Sequence, residues 1–437
     1  MAYAPREKNY KKQWKVIVLL LFLLVFVVYI VASNVMRSEH STSNRLTVCN
    51  LSEEDSVALL SKKHKEIIEV SDYFYYGESL NLYQSTYSPE KTDTLSGKTI
   101  ELKNICNNEV ISMTMENTID QKLVLDEIAE GFYEVYIMDN LVRKRVVFDH
   151  PLEKNSFYTA KRKGFVNRIT LIADQNLLHE YGKKLDQNYL FIEVKKEAAD
   201  NDEIDVLIDP YGMNMDLTWL PDEGAKVNGL NENEEMYYAA TKLKEELEKN
   251  YGLRVMITKN SAKEEGKAYG EDGRIAKGYQ HHAKYYLLLR FNNFASDDYR
   301  GFEIMHSAYC SKTLARNITY NLEKNLNLTL SELYGTKDPG IVSCLLAEGK
   351  DGKLIYDSNL YIRESGGRGT LAASYSDTSS EANASFKDKN GMLGLEIDFA
   401  YISNKADANQ WKQSKDKIIQ ETAKGFAEGI NVSRTTK

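Results

Sequence analysis

The side chains best placed to do chemistry follow from one short stretch, Ile204-Asp-Val-Leu-Ile-Asp-Pro-Tyr-Gly-Met213. Its apolar run has the length of a buried strand and stops at Asp209-Pro210, where proline cannot continue a sheet ladder. A strand that stops at an Asp-Pro turn delivers its next residues to the rim of a sheet. In an open α/β sheet, ligands bind beyond that rim. Asp209, Tyr211 and Gly212 are therefore expected at a ligand-facing position. Thiol and zinc-finger chemistry find no support. The four cysteines, Cys49, Cys106, Cys310 and Cys344, form no CxxC, and no Cys/His spacing matches a zinc finger. Most of the thiols are expected to be buried and free, and a disulfide outside the cell would leave the pairing open.

The elements that must position this rim alternate from Ile204 onward. The pattern predicts a helix over Asn233–Tyr251, with Met236, Ala239, Ala240, Leu243 and Leu247 on one face and Gly252 as its stop. Strands are predicted at Leu253–Thr258, Tyr285–Phe291, Gly301–His306 and Leu393–Phe399, and helices at Arg274–Lys284, Ser311–Asn325 and Ala406–Gly429. Such alternation predicts a mainly parallel sheet flanked by helices over residues 203–432. The polar, Gly/Ser-rich stretch Gly349–Gly391 reads as a surface insertion or lid, with Arg363-Glu364-Ser365-Gly366-Gly367 as an exposed turn.

Upstream, the period changes to two. Runs at Tyr73–Tyr76, Leu80–Tyr83, Thr99–Leu102, Val110–Met115, Gly131–Met138, Leu141–Phe148, Arg168–Ala173 and Tyr189–Val194 predict a β-sandwich over residues 72–199. Asp139-Asn140 reads as a hairpin turn between two of them. The sandwich is read as a spacer ahead of a glycan- or protein-binding module. The 29 tyrosines are read as strand formers with a polar edge ahead of sugar-stacking groups. Leu51–Val70 reads as a stalk helix capped by Ser52, with Glu53, Glu54 and Asp55 in its first turn, and residues 34–71 together as tether and stalk.

Residues 16–33 form an apolar run just long enough to cross a bilayer, preceded over residues 1–15 by Arg6, Lys8, Lys11, Lys12 and Lys15. The positive-inside rule keeps this tail cytoplasmic and sends everything after Ser33 outside. A cleaved signal peptide competes, through the small residues of Val31-Ala32-Ser33, but the run is longer than a normal signal core. The expected architecture is thus multi-domain: an N-terminal transmembrane helix, a β-sandwich and a C-terminal α/β domain. A net charge of -8 and a pI near 5.6 exclude a general nucleic-acid binder, which needs a basic surface.

Gly394-Leu-Glu-Ile-Asp-Phe-Ala-Tyr-Ile-Ser-Asn-Lys-Ala-Asp407, taken with Ile208-Asp209-Pro210, Asn231-Glu232-Asn233, Arg274 and Asn292, resembles the zinc-dependent N-acetylmuramoyl-L-alanine amidases. The resemblance spans Ile204 to Ile430. It implies peptidoglycan as substrate, cleaved between sugar and stem peptide, with Glu396 at the catalytic glutamate position and Glu232 at the metal-binding one. The family's zinc needs two histidines and a glutamate, leaving one position for water. Here the first histidine position is Gly212 and the second is Arg290, and a guanidinium cannot deprotonate to coordinate a cation. The glycine that follows the family's glutamate is Asp398.

Two carboxylates left facing one cleft would repel until one took up a proton, and a guanidinium fork is a physical remedy. Arg290 is therefore expected where zinc would stand, held by Glu232, Glu396 or both, with Tyr211, Asp209 and Asn292 completing a binding cleft. Rescue of a metal site by His281, His282, His306 or Cys310, and metal-free glycoside hydrolysis by the two glutamates, are the weaker readings. The expected function is non-catalytic binding of peptidoglycan or a cell-wall enzyme at the membrane, with no cofactor. The alternatives are an active zinc amidase, with Glu396 as general acid/base, and a subunit of an envelope-spanning assembly.

Overall fold

The computed structural model describes Cys49 and residues 52–435 apart from 86–94, 96, 116–122, 127, 153–154, 200–201, 216–219, 269–271, 308–310, 334, 336, 345, 349–353, 357–363 and 366–389. The apolar run at 16–33, the tether up to residue 48, Cys310 and most of the 349–391 insertion lie outside the described residues. Among the described residues no helix is long and apolar enough to cross a membrane.

The predicted stalk helix is shorter than expected. Helix α1 covers Glu53–Leu60, with the Ser52 side chain accepting from the Asp55 amide as its cap. Lys62-Lys63-His64-Lys65 then carries no apolar period, and Ile67–Val70 forms strand β1, as a β-branched run favours. The expectation of mostly free thiols is corrected here, because Cys49 and Cys106 form a disulfide that ties the start of the described chain to the β-rich body. The hairpin turn is centred one residue later than predicted. Asn140 and Leu141 both have positive φ, as a two-residue turn of the primed type requires.

Strand β1 opens a nine-stranded sheet by pairing with Val142–Phe148, and the chain then bends at Ser71 into β2 (Asp72–Tyr76) and β3 (Ser79–Tyr83). Tyr73, Tyr75, Leu80 and Leu82 face Ile100, Val135, Ile169 and Val194 of that sheet across one apolar core. By hydrogen bonding, however, β2 and β3 belong to a second sheet. This ten-stranded sheet contains β4 (Val206–Pro210), β5 (Val255–Ile257), β6 (Tyr285–Asn292), β7 (Glu303–Ser307) and β8 (Asn390–Tyr401). Its order runs β5-β4-β6-β8-β2-β3, and β4, β5, β6 and β8 are mutually parallel where they pair. The first residues of β8 pair with β2 and its later ones, antiparallel, with β7. Glu364-Ser365, expected in an exposed turn, forms a short strand against Leu393 and Met392.

Helices α2 (Glu232–Tyr251), α4 (Thr313–Leu326) and α5 (Lys405–Gly429) share one core with the face of the sheet that carries Ile208, Leu289 and Ile397. Helix α3 (Arg274–Gln280) packs with Leu207, Tyr286 and Leu288 of the other face. The predicted stripe of Met236, Ala239, Ala240, Leu243 and Leu247 is wholly buried, and Gly252 ends α2 in the left-handed conformation. Each buried Met or Leu of that stripe contributes roughly 1.5–3 kcal/mol by leaving water.

The two β-rich bodies are joined by a buried charge cluster. The Glu78 carboxylate accepts from Arg162 Nη1 at 2.6 Å and Nη2 at 2.9 Å, from the Ala160 amide at 2.8 Å and from the Tyr285 hydroxyl at 2.7 Å. Arg162 Nη2 also donates to the Ile430 carbonyl at 2.6 Å, so one side chain reaches from the N-terminal sheet to the end of α5. Removing the acid leaves the buried guanidinium with Asp126 alone, 3.5 Å away, whereas Tyr285→Phe deletes only one hydrogen bond to the Glu78 carboxylate. Glu78→Gln is expected to lower stability to urea by about 3–5 kcal/mol and Tyr285→Phe by about 1–3 kcal/mol. Equal losses in the two variants would show that the charge pair does not hold the seam.

Candidate functional site

Parallel register places Arg290 of β6 opposite Asp398 of β8, and antiparallel register places Glu303 of β7 opposite Asp398 from the other side. Glu396 precedes Asp398 by two residues, so alternation sends both carboxylates to the same face as Arg290. A β-bulge between Arg290 and Asn292 re-aims the end of β6 at this point. Three acids from two strands thus surround one guanidinium, and Glu396, Asp398 and Glu303 are all buried.

The contacts are unequal. Arg290 Nη1 donates to Glu396 Oε1 at 3.2 Å, while Nε lies 3.5 Å from Asp398 Oδ1 without hydrogen-bond geometry. Neither oxygen of Asp398 has a hydrogen-bond partner among the described residues. Glu303 is better supplied: Asn292 Nδ2 donates to one oxygen at 2.6 Å and the Tyr401 hydroxyl to the other at 3.0 Å. The guanidinium of Arg290 lies 4.7 Å from the centroid of the Tyr211 ring, whose hydroxyl donates to Asp222 at 2.7 Å. Burial pushes the Glu396 carboxyl up to about 7, against the pull of Arg290. Asp398 is driven well above the usual carboxylate range, by burial first and then by Glu396. One guanidinium cannot balance this many carboxylates, so the cluster holds protons at neutral pH.

Glu232 opens α2 but turns its carboxylate to the backbone. Oε1 accepts from the Phe291 amide at 2.8 Å and Oε2 from the Ala225 amide at 2.9 Å, and burial raises its pKa. It acts on Arg290 as a nearby charge. The structure therefore brings together Arg290, Glu396, Tyr211 and, through Glu303, Asn292. Asp209 lies apart from them. Its buried carboxylate accepts from Arg274 Nε at 2.9 and 3.0 Å and from Thr258 Oγ1 at 2.6 Å and the Tyr286 hydroxyl at 2.5 Å, fastening α3 to β4. Against its burial, Arg274, then Lys259 and Thr258, hold Asp209 below the usual range.

Two members of the cluster are additions to the expected set. Asp398 was marked by its two-residue spacing from Glu396, and Glu303 by being a lone acid between Phe302 and Ile304 in an apolar strand. The histidines do not join them. Met305 lies opposite Glu396, so His306 faces the other side of the sheet, where its Nε2 meets Ser343 Oγ at 2.8 Å. His281 and His282 precede β6 by several residues, which puts them roughly 25 Å along the strand from Arg290.

The zinc position implied by the resemblance does not fit these residues. Gly212 has φ +107°, and a Cβ there would lie 2.8 Å from Asn233 Cβ and 2.9 Å from its Cα, so no side chain can enter from that residue without moving α2. Arg290 fills the opposite wall. No group of three or more His, Cys, Asp or Glu side chains among the described residues is arranged to hold a metal ion.

The C-terminal body is thus a mixed, mostly parallel α/β fold with a buried charge cluster carried by strands β6, β7 and β8. Residues 220–348 match the family model Amidase_3, N-acetylmuramoyl-L-alanine amidase. The matched segment includes Glu232, Arg290, Asn292 and Glu303, while Glu396 and Asp398 lie beyond it. No curated protein matches the chain. Among solved structures, the catalytic domain of the amidase CwlV from Bacillus (Paenibacillus) polymyxa var. colistinus is 16% identical, covering 52% of this chain and 95% of that one, with a TM-score of 0.32. Ami1 from Mycobacterium smegmatis is 12% identical, covering 53% and 99%, with a TM-score of 0.36. The CwlD amidase from Clostridioides difficile, solved with the GerS lipoprotein, is 15% identical, covering 52% and 97%, with a TM-score of 0.28.

A carboxyl whose pKa the fold raises contributes stability that is complete below its unfolded value, near 4.5 for glutamate, and is lost as pH climbs through the folded value, about 7 for Glu396. Asp209 has the opposite sign, and its contribution disappears on acidification below about its unfolded 3.8. Stability to urea is therefore expected to fall between pH 5 and 8, and Glu396→Gln should flatten that slope. A rising profile over this window in the unmodified chain would contradict the buried-acid account.

Proposed function

We propose that the C-terminal body is an amidase-fold module without zinc hydrolase activity, binding peptidoglycan or a cell-wall enzyme as a scaffold or regulator. We further propose that residues 16–33 anchor it in the membrane, with the described bodies outside the cytoplasm. The observation that carries the reading is Arg290, a side-chain cation bound to Glu396 and stacked on Tyr211 where the resemblance asks for a histidine. The match over residues 220–348 to an amidase family supports peptidoglycan as the material bound.

A glutamate at the catalytic position has no metal-bound water to act on when a guanidinium stands beside it. Glu396 serves here to hold Arg290, and the Glu232 carboxylate to organise the loop before α2 and the end of β6. What remains is a partly exposed guanidinium against the Tyr211 ring, suited to recognition.

The test is direct. The purified protein should contain no stoichiometric zinc by elemental analysis, should be insensitive to chelators in its melting temperature, and should pellet with sacculi without releasing stem peptides. Arg290→Ala should cost about 3–5 kcal/mol by leaving buried carboxylates without their cation. Bound zinc with release of stem peptides would replace this reading by an active amidase. Co-purifying envelope proteins with no affinity for sacculi would replace it by an assembly subunit.

A further inference from the structure

Helix α2 has Glu232 at one end and Tyr251 at the other, 20 residues or roughly 30 Å apart. Tyr251 lines a cavity of about 690 Å³ on the seam between the two β-rich bodies, remote from Arg290. One wall is the β-hairpin tip around Arg162–Phe165, and the other is the chain after α5, Asn431–Thr435. The volume falls within the roughly 300–1,000 Å³ typical of small-ligand sites.

Its lining is divided. Ile128, Ala160, Val166 and Val432 give a buried apolar floor, and Phe165 stands at the rim 44% exposed, with Lys196 Nζ 4.7 Å from its ring centroid. Four basic and two acidic side chains share the walls. Of the acids, Asp126 is engaged by Arg162 at 3.5 Å and by Asn431 at 2.9 Å, and Glu130 accepts from the Lys196 amide at 3.4 Å. Of the bases, Lys163 and Arg434 have no acidic partner among the described residues. Arg162 keeps a buried Nε–H without an acceptor.

We propose that this cavity binds a short peptide carrying a free carboxylate next to an apolar or aromatic residue. The unmatched cations call for an anion, and the floor and Phe165 call for an apolar group beside it. The polar groups of Asn167 and Ser433 among the apolar residues suit a peptide backbone better than an acyl chain. An inorganic anion would leave the floor bare. This inference is independent of the reading of Arg290, since no residue is shared between the two sites.

Calorimetric titration of the full-length chain in detergent tests it, with N-acetylated Phe-Glu-Ala as probe and the amide of N-acetylated Phe-Gln-Ala as its neutral counterpart. Binding of the acidic peptide in the micromolar to millimolar range is expected, weakened about tenfold either by using the neutral peptide or by Lys163→Asn or Arg434→Gln. Both side chains are exposed, and asparagine tolerates the positive φ of Lys163, so the variants should fold. No heat at millimolar peptide, equal affinity for the neutral peptide, or binding untouched by both substitutions would each overturn the proposal.

Discussion

A single guanidinium set against several buried carboxylates constrains the C-terminal half of this protein. Taking an acid out of water is costly, and the interior allows it only where a cation or a proton answers the charge. Arg290 supplies one cation for Glu396 and Asp398, with Glu232 and Glu303 also within its field. The remainder is met by protons, by the amides that hold Glu232 and by the Asn292 and Tyr401 donors on Glu303. Any ligand entering beside Tyr211 therefore meets a site whose charge state is already coupled internally.

The surrounding fold is arranged around this economy. The bulge after Arg290 turns Asn292 toward Glu303, and Asp407 at the start of α5 accepts from the Gly301 and Tyr401 amides, fixing the strands that carry the acids. Asn404 caps the same helix by accepting from the Ala406 and Asp407 amides. The Ser-Asn-Lys-Ala-Asp stretch that carried part of the family resemblance thus has a local structural task, which is independent of hydrolysis. Elsewhere in the molecule Arg162 solves the same problem with Glu78 as its bidentate partner and Asp126 at 3.5 Å.

Much of this was readable from residue patterns. The period of α2, its glycine stop, the alternation after Ile204 and the end of β4 at Asp209-Pro210 depend on local spacing, and the structure places them within a few residues of expectation. Less readable were features decided by distant partners. Ile67 and Ile68 were absorbed into a helical period because their strand partners, Arg145 and Val146, are remote in sequence. The pairing of Cys49 with Cys106 had no local signal. Asp209 has the sequence position of a rim residue, but Arg274, 65 residues later, draws its carboxylate into a buried pair. Glu303 and Asp398 each carried a local signal, but that they meet at one site was decided by the strand order that sets them across from each other.

Strand β8 is shared property. Its opening residues, Asn390 and Gly391, bond to β2, which lies in the first quarter of the chain, while the residues that follow form the centre of the C-terminal sheet. Severing the chain at the acidic link near residue 200 would therefore not release two finished halves. Each piece would carry a raw edge with unpaired amides and carbonyls, ready to recruit another chain. Strand β8 thus makes the N-terminal segment part of the sheet that holds Arg290 and Glu396.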